Sequence, residues 1–387
     1  MNPHGAAGLA HRHADAATLA ESLQASRRDT LATFDCYAAG LADQGLSVPY
    51  HGDVNPPLWE LGHIGWFQEY WLARNPERRH GHRADPAKPR GPALRGDADS
   101  LYDSGRVAHA SRWSLPLPNV QQTRADLDQQ LRRSLALLAD TESTDAALYF
   151  FRLALFHEDM HHEAAIYTAQ ALGLAIDDAR WQAPLLPDAC HELVFEPGRF
   201  ELGSDAAGFA FDNELGRHTV ELPATRIDSR VLRWADYLPF IDSSASTVVP
   251  RHLRRSASGW QRCHFGRWVP LDPRLPACHL SHVEAQAWCA WAGRRLPTEA
   301  EWERAATEQP EAFDWGAVWE WTASPFVPYP GFVAHPYGDY SAPWFGSRQV
   351  LRGASFATQA RMHHARYRNY FTPERSDIMA GFRTCAV

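Results

Sequence analysis

The segment HEDMHHE, residues 157–163, concentrates side chains that could bind a metal ion. His157 and His161 are four residues apart, so on a helix both imidazoles leave the same face and can reach one ion. His162 is rotated by about 100° from its neighbour, so we expect it to lie behind the ligands or to be exposed. The spacing therefore indicates a metal site that draws two ligands from one helix.

A third ligand has to come from elsewhere, and His63 is the strongest candidate. It lies in the apolar stretch LWELGHIGWF, where a polar side chain without a partner would be costly. We therefore predict a mononuclear site formed by His63, His157 and His161. Glu158 and Glu163 could orient a ligand imidazole by accepting its second N–H.

The identity of the metal stays open at this point. Three imidazoles without a thiolate or carboxylate suit zinc, iron or copper about equally. The segment HEDMH also fits the HExxH pattern of zinc proteases, in which the glutamate is a general base. Spacing alone does not choose between these alternatives.

The ligands lie in a half of the chain that reads as helices. Apolar residues recur at helical spacing in four segments, namely Leu19–Leu41, the segment that follows Pro56-Pro57, VQQTRADLDQQLRRSLALLAD, and the segment from its expected cap Asp145 to Gly173. A stretch rich in Pro, Gly, Arg and Asp, roughly 76–118, breaks the pattern and predicts a long connection. Four helices with one long crossover predict a bundle, and bundles hold metal ions between facing helices.

The chain changes character after about residue 185. Short segments such as 192–196 and 219–222 alternate apolar and polar residues between Pro and Gly turns, as strands do. Two capping boxes, SHVE at 281–284 and TEAE at 298–301, predict helix starts. The second half is therefore expected to be an irregular α+β domain.

Composition and cysteine usage limit the functions that this chain can have. The 387 residues are enough for two domains, and 38 basic against 46 acidic residues give a net charge of −8, which argues against a nucleic-acid partner. Six cysteines without a CxxC pair argue against a disulfide framework. No segment approaches the roughly 18 apolar residues of a membrane span, so we expect a cytoplasmic protein.

A series of motifs resembles a known family. These are WELGHIGWF, FHEDMHHE, PGRFELGS, FDNELGRH, WAGRRLPTEAEWERAA, VWEWTAS, PYPGF, VLRGASF, RYRNYF and GFR, in this order. The series is similar to the iron(II)-dependent sulfoxide synthases of ergothioneine biosynthesis and to their relatives, the selenoneine synthases. The resemblance implies an α+β protein of two domains, a DinB-like four-helix bundle at 15–182 and a formylglycine-generating-enzyme-type, C-type-lectin-like domain at 183–387. We expect residues 1–14 to be disordered.

The resemblance also implies a reaction and some of its residues. It implies Fe(II) on His63, His157 and His161, O2 as the oxidant, and hercynine (Nα-trimethylhistidine) as the acceptor of a sulfur or selenium atom at imidazole C2. Asn369 matches the asparagine that contacts hercynine. Tyr329 matches a pocket tyrosine, and Tyr370 is a further candidate for substrate binding, although both would also suit core packing. Three arginines are expected to be structural, namely Arg352, Arg368 and Arg383.

Three departures from the family pattern concern the chalcogen donor. Phe326 occupies the position at which we align a catalytic tyrosine of the ergothioneine enzymes, and Met160 replaces a frequent glutamine before the last ligand. Phe371 replaces an acidic residue that holds the amine of an amino-acid thiol in some members. We therefore expect a selenosugar to fit better than cysteine or γ-glutamylcysteine.

Two rival functions stay open beside the selenoneine synthase. One is an ergothioneine-type sulfoxide synthase that uses cysteine or γ-glutamylcysteine. The other is a non-catalytic, ligand-binding protein with a lectin-like domain, which the three-histidine set disfavours. Formylglycine-generating activity is disfavoured because the C-terminal half lacks a close cysteine pair near its end.

Overall fold

The computed structural model describes residues 3–243 and 249–387, which form a helical N-terminal half and an α+β C-terminal half. The helices are α1 (Pro3–Arg12), α2 (Ala16–Gly40), α3 (Pro57–Trp71), α4 (Ala98–Tyr102), α5 (Val120–Ala139), α6 (Asp145–Leu172), α7 (Trp234–Asp242), α8 (His282–Ala292) and α9 (Glu299–Glu308). No helix in the described part of the chain has both the length and the apolar character needed to cross a bilayer.

The bundle consists of α2, α3, α5 and α6, the four predicted helices, and α4 lies within the predicted long connection. The last of the four ends as expected, because Gly173 takes the left-handed conformation (φ 74°) that closes a helix. Its start is one residue earlier than predicted. Thr144 is the N-cap, accepting a hydrogen bond from the Ala147 N–H, whereas Asp145 accepts one from Arg152 at 2.8 Å.

The C-terminal half contains small sheets joined by irregular loops. Its strands are β1 (Glu192–Phe195), β2 (Gly198–Leu202), β3 (His218–Leu222), β4 (Thr225–Asp228), β5 (Leu253–Ser256), β6 (Gly259–His264), β7 (Arg267–Pro270), β8 (Arg294–Arg295), β9 (Trp319–Pro325), β10 (Gln349–Gly353), β11 (Asn369–Phe371), β12 (Ala380–Gly381) and β13 (Cys385–Ala386). Both predicted strand segments and both capping boxes are present. The sheets have the orders β1-β4-β13-β8, β11-β10-β9-β12, β2-β3 and β5-β6-β7.

The three arginines that the sequence assigns to structure are fully buried and paired with glutamates of the family motifs. Those pairs are Arg352 with Glu303, Arg368 with Glu299 at 2.8 Å, and Arg383 with Glu320 at 2.7 Å. A buried guanidinium is tolerated only when a carboxylate and further hydrogen bonds compensate its lost hydration. The structural role of these arginines is therefore confirmed.

The N-terminus differs from its prediction. Residues 3–12 form a helix, so the expected disorder is wrong for them; residues 1 and 2 lie outside the described residues. The buried Arg12 guanidinium donates to Glu214 at 2.9 Å, and its backbone carbonyl accepts a hydrogen bond from the Phe209 N–H at 2.8 Å. These partners lie about 200 residues away in the sequence, where a local pattern cannot reveal them.

The second half of the chain covers one side of α6. Arg361 donates to Asp159 of α6 at 2.6 Å, and Gln170, near the end of the same helix, donates to the Cys263 carbonyl at 2.8 Å. In the sheet β11-β10-β9-β12, strands β9 and β11 both pair with β10. The first residues of β9 and β11 therefore lie near the same end of β10, on this side of α6. The helix that carries two of the histidines is therefore fixed against the C-terminal half.

Candidate metal centre and its cavity

The three predicted ligands meet in the bundle. His63 extends from α3, and His157 and His161 extend from α6; one ring nitrogen of each lies within 4.8 Å of the others. The Nε2 atoms of His157 and His161 are 3.1 Å apart, so the two imidazoles are directed at the same point. Within the described residues, this is the one group of at least three such side chains arranged as metal ligands.

Neighbouring groups hold the imidazoles in place. The Nδ1 of His63 lies 2.8 Å from the Tyr102 carbonyl, which can only accept, so Nδ1 carries the hydrogen and Nε2 keeps its lone pair. The Nδ1 of His161 is hydrogen-bonded to the carboxylate of Glu60. Phe67 stacks on His157 with ring centroids 3.4 Å apart. Each ring is therefore oriented before any metal binds.

The electrostatics of the site also suit a metal. Burial, followed by the neighbouring His161, lowers the pKa of His63 to about 3 and lowers that of His157 well below its ordinary value. Burial disfavours ionisation of Glu60, but His161 outweighs it and lowers the Glu60 pKa to about 2. Two neutral imidazoles and a third that is hydrogen-bonded to a carboxylate form a donor set that fits a divalent transition metal such as iron or zinc.

The roles that the sequence suggests for both glutamates of the segment 157–163 are wrong. Glu158 forms an ion pair with Arg27 of α2 at 2.7 Å. Glu163 accepts hydrogen bonds from the Trp319 Nε1–H at 2.7 Å and from the hydroxyl groups of Ser355 and Thr358 at 2.6 and 2.9 Å. Neither carboxylate orients a ligand, because in each case these partners occupy it.

His162 lies behind the ligands, as its rotation on the helix predicts. Its Nε2 is 3.0 Å from the Thr33 hydroxyl, and its ring packs edge-on against Trp181 with centroids 4.9 Å apart. The side chain is buried, and burial lowers its pKa to about 4. It therefore supports the bundle and does not join the three-nitrogen cluster.

A cavity of about 290 Å³ opens beside the histidines, between α6 and the C-terminal half. Its wall is largely aromatic, with Tyr167, Trp319, Tyr337, Tyr340, Tyr367, Tyr370 and Phe371. Glu60 and Glu163 are its carboxylates, and no lysine or arginine is among the described residues that line it. Burial raises the pKa of Glu163, and no cationic side chain of the described residues forms an ion pair with it.

Four of the six pocket residues that the sequence proposes line this cavity. They are Met160, Asn369, Tyr370 and Phe371. The Asn369 Oδ1 accepts a hydrogen bond from the Tyr370 backbone N–H at 2.9 Å. Its NH2 group forms no hydrogen bond with the described residues, so it can donate to a ligand. The Met160 sulfur accepts a hydrogen bond from the Tyr367 hydroxyl at 3.4 Å.

Phe326 and Tyr329 are not brought to the cavity. Phe326 is fully buried and stacks on the far side of Tyr370, with ring centroids 4.0 Å apart. The Tyr329 hydroxyl donates to Glu299 at 2.9 Å, and Arg368 covers its ring at 3.9 Å. Both side chains are core residues, so neither defines the donor pocket.

Two residues of the site, Glu60 and Tyr337, are not among those predicted from the sequence. Glu60 precedes His63 by three residues on the same helix, so the i,i+3 spacing was a usable signal. The Tyr337 ring lies 6.0 Å from the His157 ring and 4.9 Å from that of Phe67. Tyr337 belongs to the irregular loop between β9 and β10, and no periodic pattern points to it.

We expect Glu60→Gln to weaken metal binding about 10- to 100-fold, the usual effect of removing a partner that holds a ligand. An amide in the carboxylate's place lacks its charge and can present an N–H to the His161 Nδ1–H. Isothermal titration of the anaerobic apoprotein with Fe(II) measures the change. Glu158→Gln is the matched control on α6, and equal affinity in the Glu60 variant would contradict the role given to Glu60.

Two family models agree with this architecture. The DinB superfamily matches residues 22–165, and the sulfatase-modifying factor enzyme 1-like domain matches residues 184–317 and 313–386. The hercynine oxygenase of Mycolicibacterium smegmatis is 30% identical, covering 95% of this chain and 98% of its own length. That of Mycobacterium tuberculosis is 31% identical, covering 88% of this chain and 93% of its own length. Among solved structures, PvdO from Pseudomonas aeruginosa has a TM-score of 0.38 and 16% identity, covering 50% of this chain and 93% of that chain.

The helical bundle, the second domain, the three-histidine cluster and the similarity to hercynine oxygenases together identify an oxidoreductase of the non-haem iron type. The predicted α+β fold with its two named domains is thereby confirmed. The matches over nearly the whole length of the relatives identify it further: the chain belongs to the hercynine oxygenase family. The boundary placed at residues 182 and 183 stays a prediction.

Proposed function

We propose that this protein is an Fe(II)- and O2-dependent enzyme that joins selenium, or sulfur, to imidazole C2 of hercynine, with a selenosugar as the preferred donor. One observation carries the proposal. Three imidazoles that converge on one point lie beside a 290 Å³ cavity whose wall combines aromatic rings, a buried carboxylate without a cation, and the amide of Asn369. Each of these features matches a part of the substrates.

The metal fits the residues that are present. His63, His157 and His161 would hold Fe(II) through their free ring nitrogens, since Tyr102 and Glu60 occupy the other nitrogens of two of them. Bound iron would supply the redox chemistry of dioxygen, and three protein ligands leave further coordination positions open. The chain itself contributes the fixed ligand geometry and a cavity that holds the organic substrates beside it.

Hercynine carries a permanent trimethylammonium group, and the cavity offers it a place. Glu163 lies on the wall with three hydrogen bonds but no cation, and the Trp319 ring that donates to it lines the same cavity. A carboxylate together with aromatic faces is a favourable environment for a quaternary ammonium ion. The free NH2 of Asn369 can then donate to the imidazole or the carboxylate of the same substrate.

The charges of the wall favour a donor without carboxylates. γ-Glutamylcysteine brings two carboxylates, yet the described residues that line the cavity include no lysine or arginine to pair with them. Phe371 cannot form an ion pair or a hydrogen bond with the ammonium group of γ-glutamylcysteine. Burying an unpaired ion costs much free energy because the ion loses its hydration. A sugar selenol carries hydroxyl groups, which tyrosine and asparagine side chains can hydrogen-bond without charge compensation.

The atoms of the reaction balance with one O2. The imidazole C2–H and the selenol Se–H bonds break, and a C–Se bond forms, which removes two electrons and two protons. Oxidation of selenium to the selenoxide removes two more electrons and takes one oxygen atom, while the other leaves as water. We propose the Tyr337 hydroxyl as the proton donor beside the ligands, because the Tyr337 ring lies 6.0 Å from the His157 ring on the cavity wall.

A direct competition between donors tests the function. We expect kcat/KM for a selenosugar to exceed that for γ-glutamylcysteine at least tenfold, about 1.4 kcal/mol in transition-state binding. Enzyme is incubated anaerobically with Fe(II), hercynine and both donors at equal concentration, oxygen is admitted, and products are counted by mass spectrometry.

The rival functions give different products in this experiment. A dominant sulfoxide of γ-glutamylcysteine or cysteine would make the protein an ergothioneine-type sulfoxide synthase and would overturn the selenium assignment. Tight binding of hercynine without turnover of any donor would indicate the non-catalytic binding protein instead. Histidine in place of hercynine, at the same concentration, controls for unspecific oxidation.

A further inference from the structure

The long connection between α3 and α5 contributes groups to the surroundings of the metal centre. The Tyr102 carbonyl of this connection lies 2.8 Å from the His63 Nδ1. A short helical turn, His109–Trp113, follows later in the same connection and places Arg112 over the Trp59 ring of α3. The segment that the sequence identifies only as a break between helices therefore supports residues around the ligands.

A chain of three hydrogen bonds joins Arg112 to the ligand His161. The Arg112 Nη1–H donates to the Asn55 Oδ1 at 2.6 Å, and the Asn55 Nδ2–H donates to the Glu60 Oε2 at 2.7 Å. The other oxygen of Glu60, Oε1, accepts the hydrogen bond from the His161 Nδ1–H. The carboxylate that orients this ligand is therefore itself held from its other side.

Arg112 determines the direction of the Asn55 amide. A guanidinium only donates hydrogen bonds, and an ionised carboxylate only accepts them. With Arg112 at one end and Glu60 at the other, the oxygen of the amide must face the arginine and its NH2 group must face the carboxylate. If the amide turned over, its oxygen would face a carboxylate oxygen, and two acceptors would then repel each other.

The Trp59 ring holds Arg112 in place. The Cζ atom of Arg112 lies 4.0 Å from the centroid of this ring, a cation–π contact. Trp59 is 1% exposed, and its Nε1–H donates to the Leu101 carbonyl at 2.7 Å, so the ring is fixed without the arginine. Its stacking on His63, with centroids 4.9 Å apart, therefore does not depend on Arg112. The hydrogen-bond chain is the route by which the arginine acts on the metal site.

We propose that Arg112 is a positioning residue for the metal. It aligns the Asn55 amide, and through that amide it fixes the Glu60 carboxylate that orients a ligand imidazole. Arg112 is not one of the described residues that line the cavity beside the histidines, so it acts through its neighbours rather than on a substrate. This role rests on the metal site of the proposed function, but it is independent of which donor or acceptor the enzyme uses.

A double-substitution cycle on metal affinity tests this role. Methionine keeps an apolar stem over Trp59 but has no hydrogen-bond donor. Arg112→Met should therefore raise the dissociation constant of Fe(II) about tenfold, within the range for residues that share one hydrogen-bond network. In the Glu60→Gln background the same substitution should change this constant less than twofold, because the carboxylate that Asn55 holds is gone. Isothermal titration of each anaerobic apoprotein with Fe(II) gives the four constants.

A second variant keeps the test valid where Arg112→Met impairs folding. Asn55→Ala leaves Arg112 and Trp59 in place but removes the middle of the chain, so it should weaken Fe(II) binding by about the same factor. Combining Asn55→Ala with Arg112→Met should add no further loss. Additive losses, an unchanged affinity in Arg112→Met, or equal losses with and without Glu60→Gln would each overturn the proposal.

Arg106→Met is the matched control. Arg106 is an exposed arginine of the same connection and pairs with Asp103 at 3.2 Å, so its substitution removes the same charge but should leave Fe(II) affinity unchanged. If the unsubstituted protein binds no Fe(II), the metal site and the role of Arg112 both fail. If it binds Fe(II) but forms no hercynine product, only the proposed function fails, and the four constants still decide the role of Arg112.

Discussion

Alanine at position 63, 157 or 161 is expected to remove bound iron and abolish turnover. Each substitution deletes one of three nitrogen ligands that lie within 4.8 Å of one another, and no other described histidine, cysteine or acid completes the group. Two remaining imidazoles hold Fe(II) far more weakly in a site whose geometry is fixed by the surrounding rings. The measurement is iron content by mass spectrometry after anaerobic reconstitution, with circular dichroism to establish that each variant folds.

His162→Ala is the matched control for this prediction. It lies on the same helix, next to a ligand, but its Nε2 faces the Thr33 hydroxyl. We expect it to keep its iron while losing about 2–5 kcal/mol of unfolding free energy, as buried side chains commonly do when truncated. Equal loss of iron from the alanine variants at positions 63, 157, 161 and 162 would mean that the metal ligands are assigned incorrectly.

The parts of the structure that the sequence predicts are those that depend on near neighbours. The bundle helices follow from apolar residues at helical spacing, and the pairing of His157 with His161 follows from one turn of helix. The capping boxes at 281–284 and 298–301 are equally local. The position of His63 beside this pair agrees with the expectation that a histidine in an apolar helix has a partner.

The parts that fail depend on side-chain direction in irregular backbone. Phe326 follows the end of β9, and matching its position in a motif does not reveal that its ring turns away from the cavity to stack on Tyr370. Tyr329 is held in the core by Glu299 and Arg368, which come from separate motifs. The proposed donor preference therefore depends on Phe371 and on the absence of cations from the described cavity wall, and not on Phe326.

Glu163 shows how distant contacts change the role of a residue. From the sequence it is one more carboxylate next to a ligand, available to an imidazole two residues away. In the structure Trp319, Ser355 and Thr358, more than 150 residues later in the chain, hold both its oxygens and turn it to the cavity wall. Only the packing of the second domain on α6 creates this arrangement.

We expect Glu163→Gln to raise the dissociation constant of hercynine about 100-fold, equivalent to about 2.7 kcal/mol. A loss of binding free energy of this size is typical when one partner of a buried charge pair is neutralised. Glutamine has nearly the same shape, so the aromatic wall stays in place, but the trimethylammonium group then lacks its counter-charge. Iron content should not change, since Glu163 contacts none of the three ligands through a hydrogen bond.

A ligand without the cation separates this role from a structural one. Imidazolepropionate keeps the ring and the carboxylate of hercynine but carries no ammonium group. Isothermal titration should show that the variant binds it within about threefold of the unsubstituted protein, so that the preference for hercynine largely disappears. If both ligands weaken equally, Glu163 only supports the wall through Trp319. If hercynine affinity is unchanged, the cation binds elsewhere.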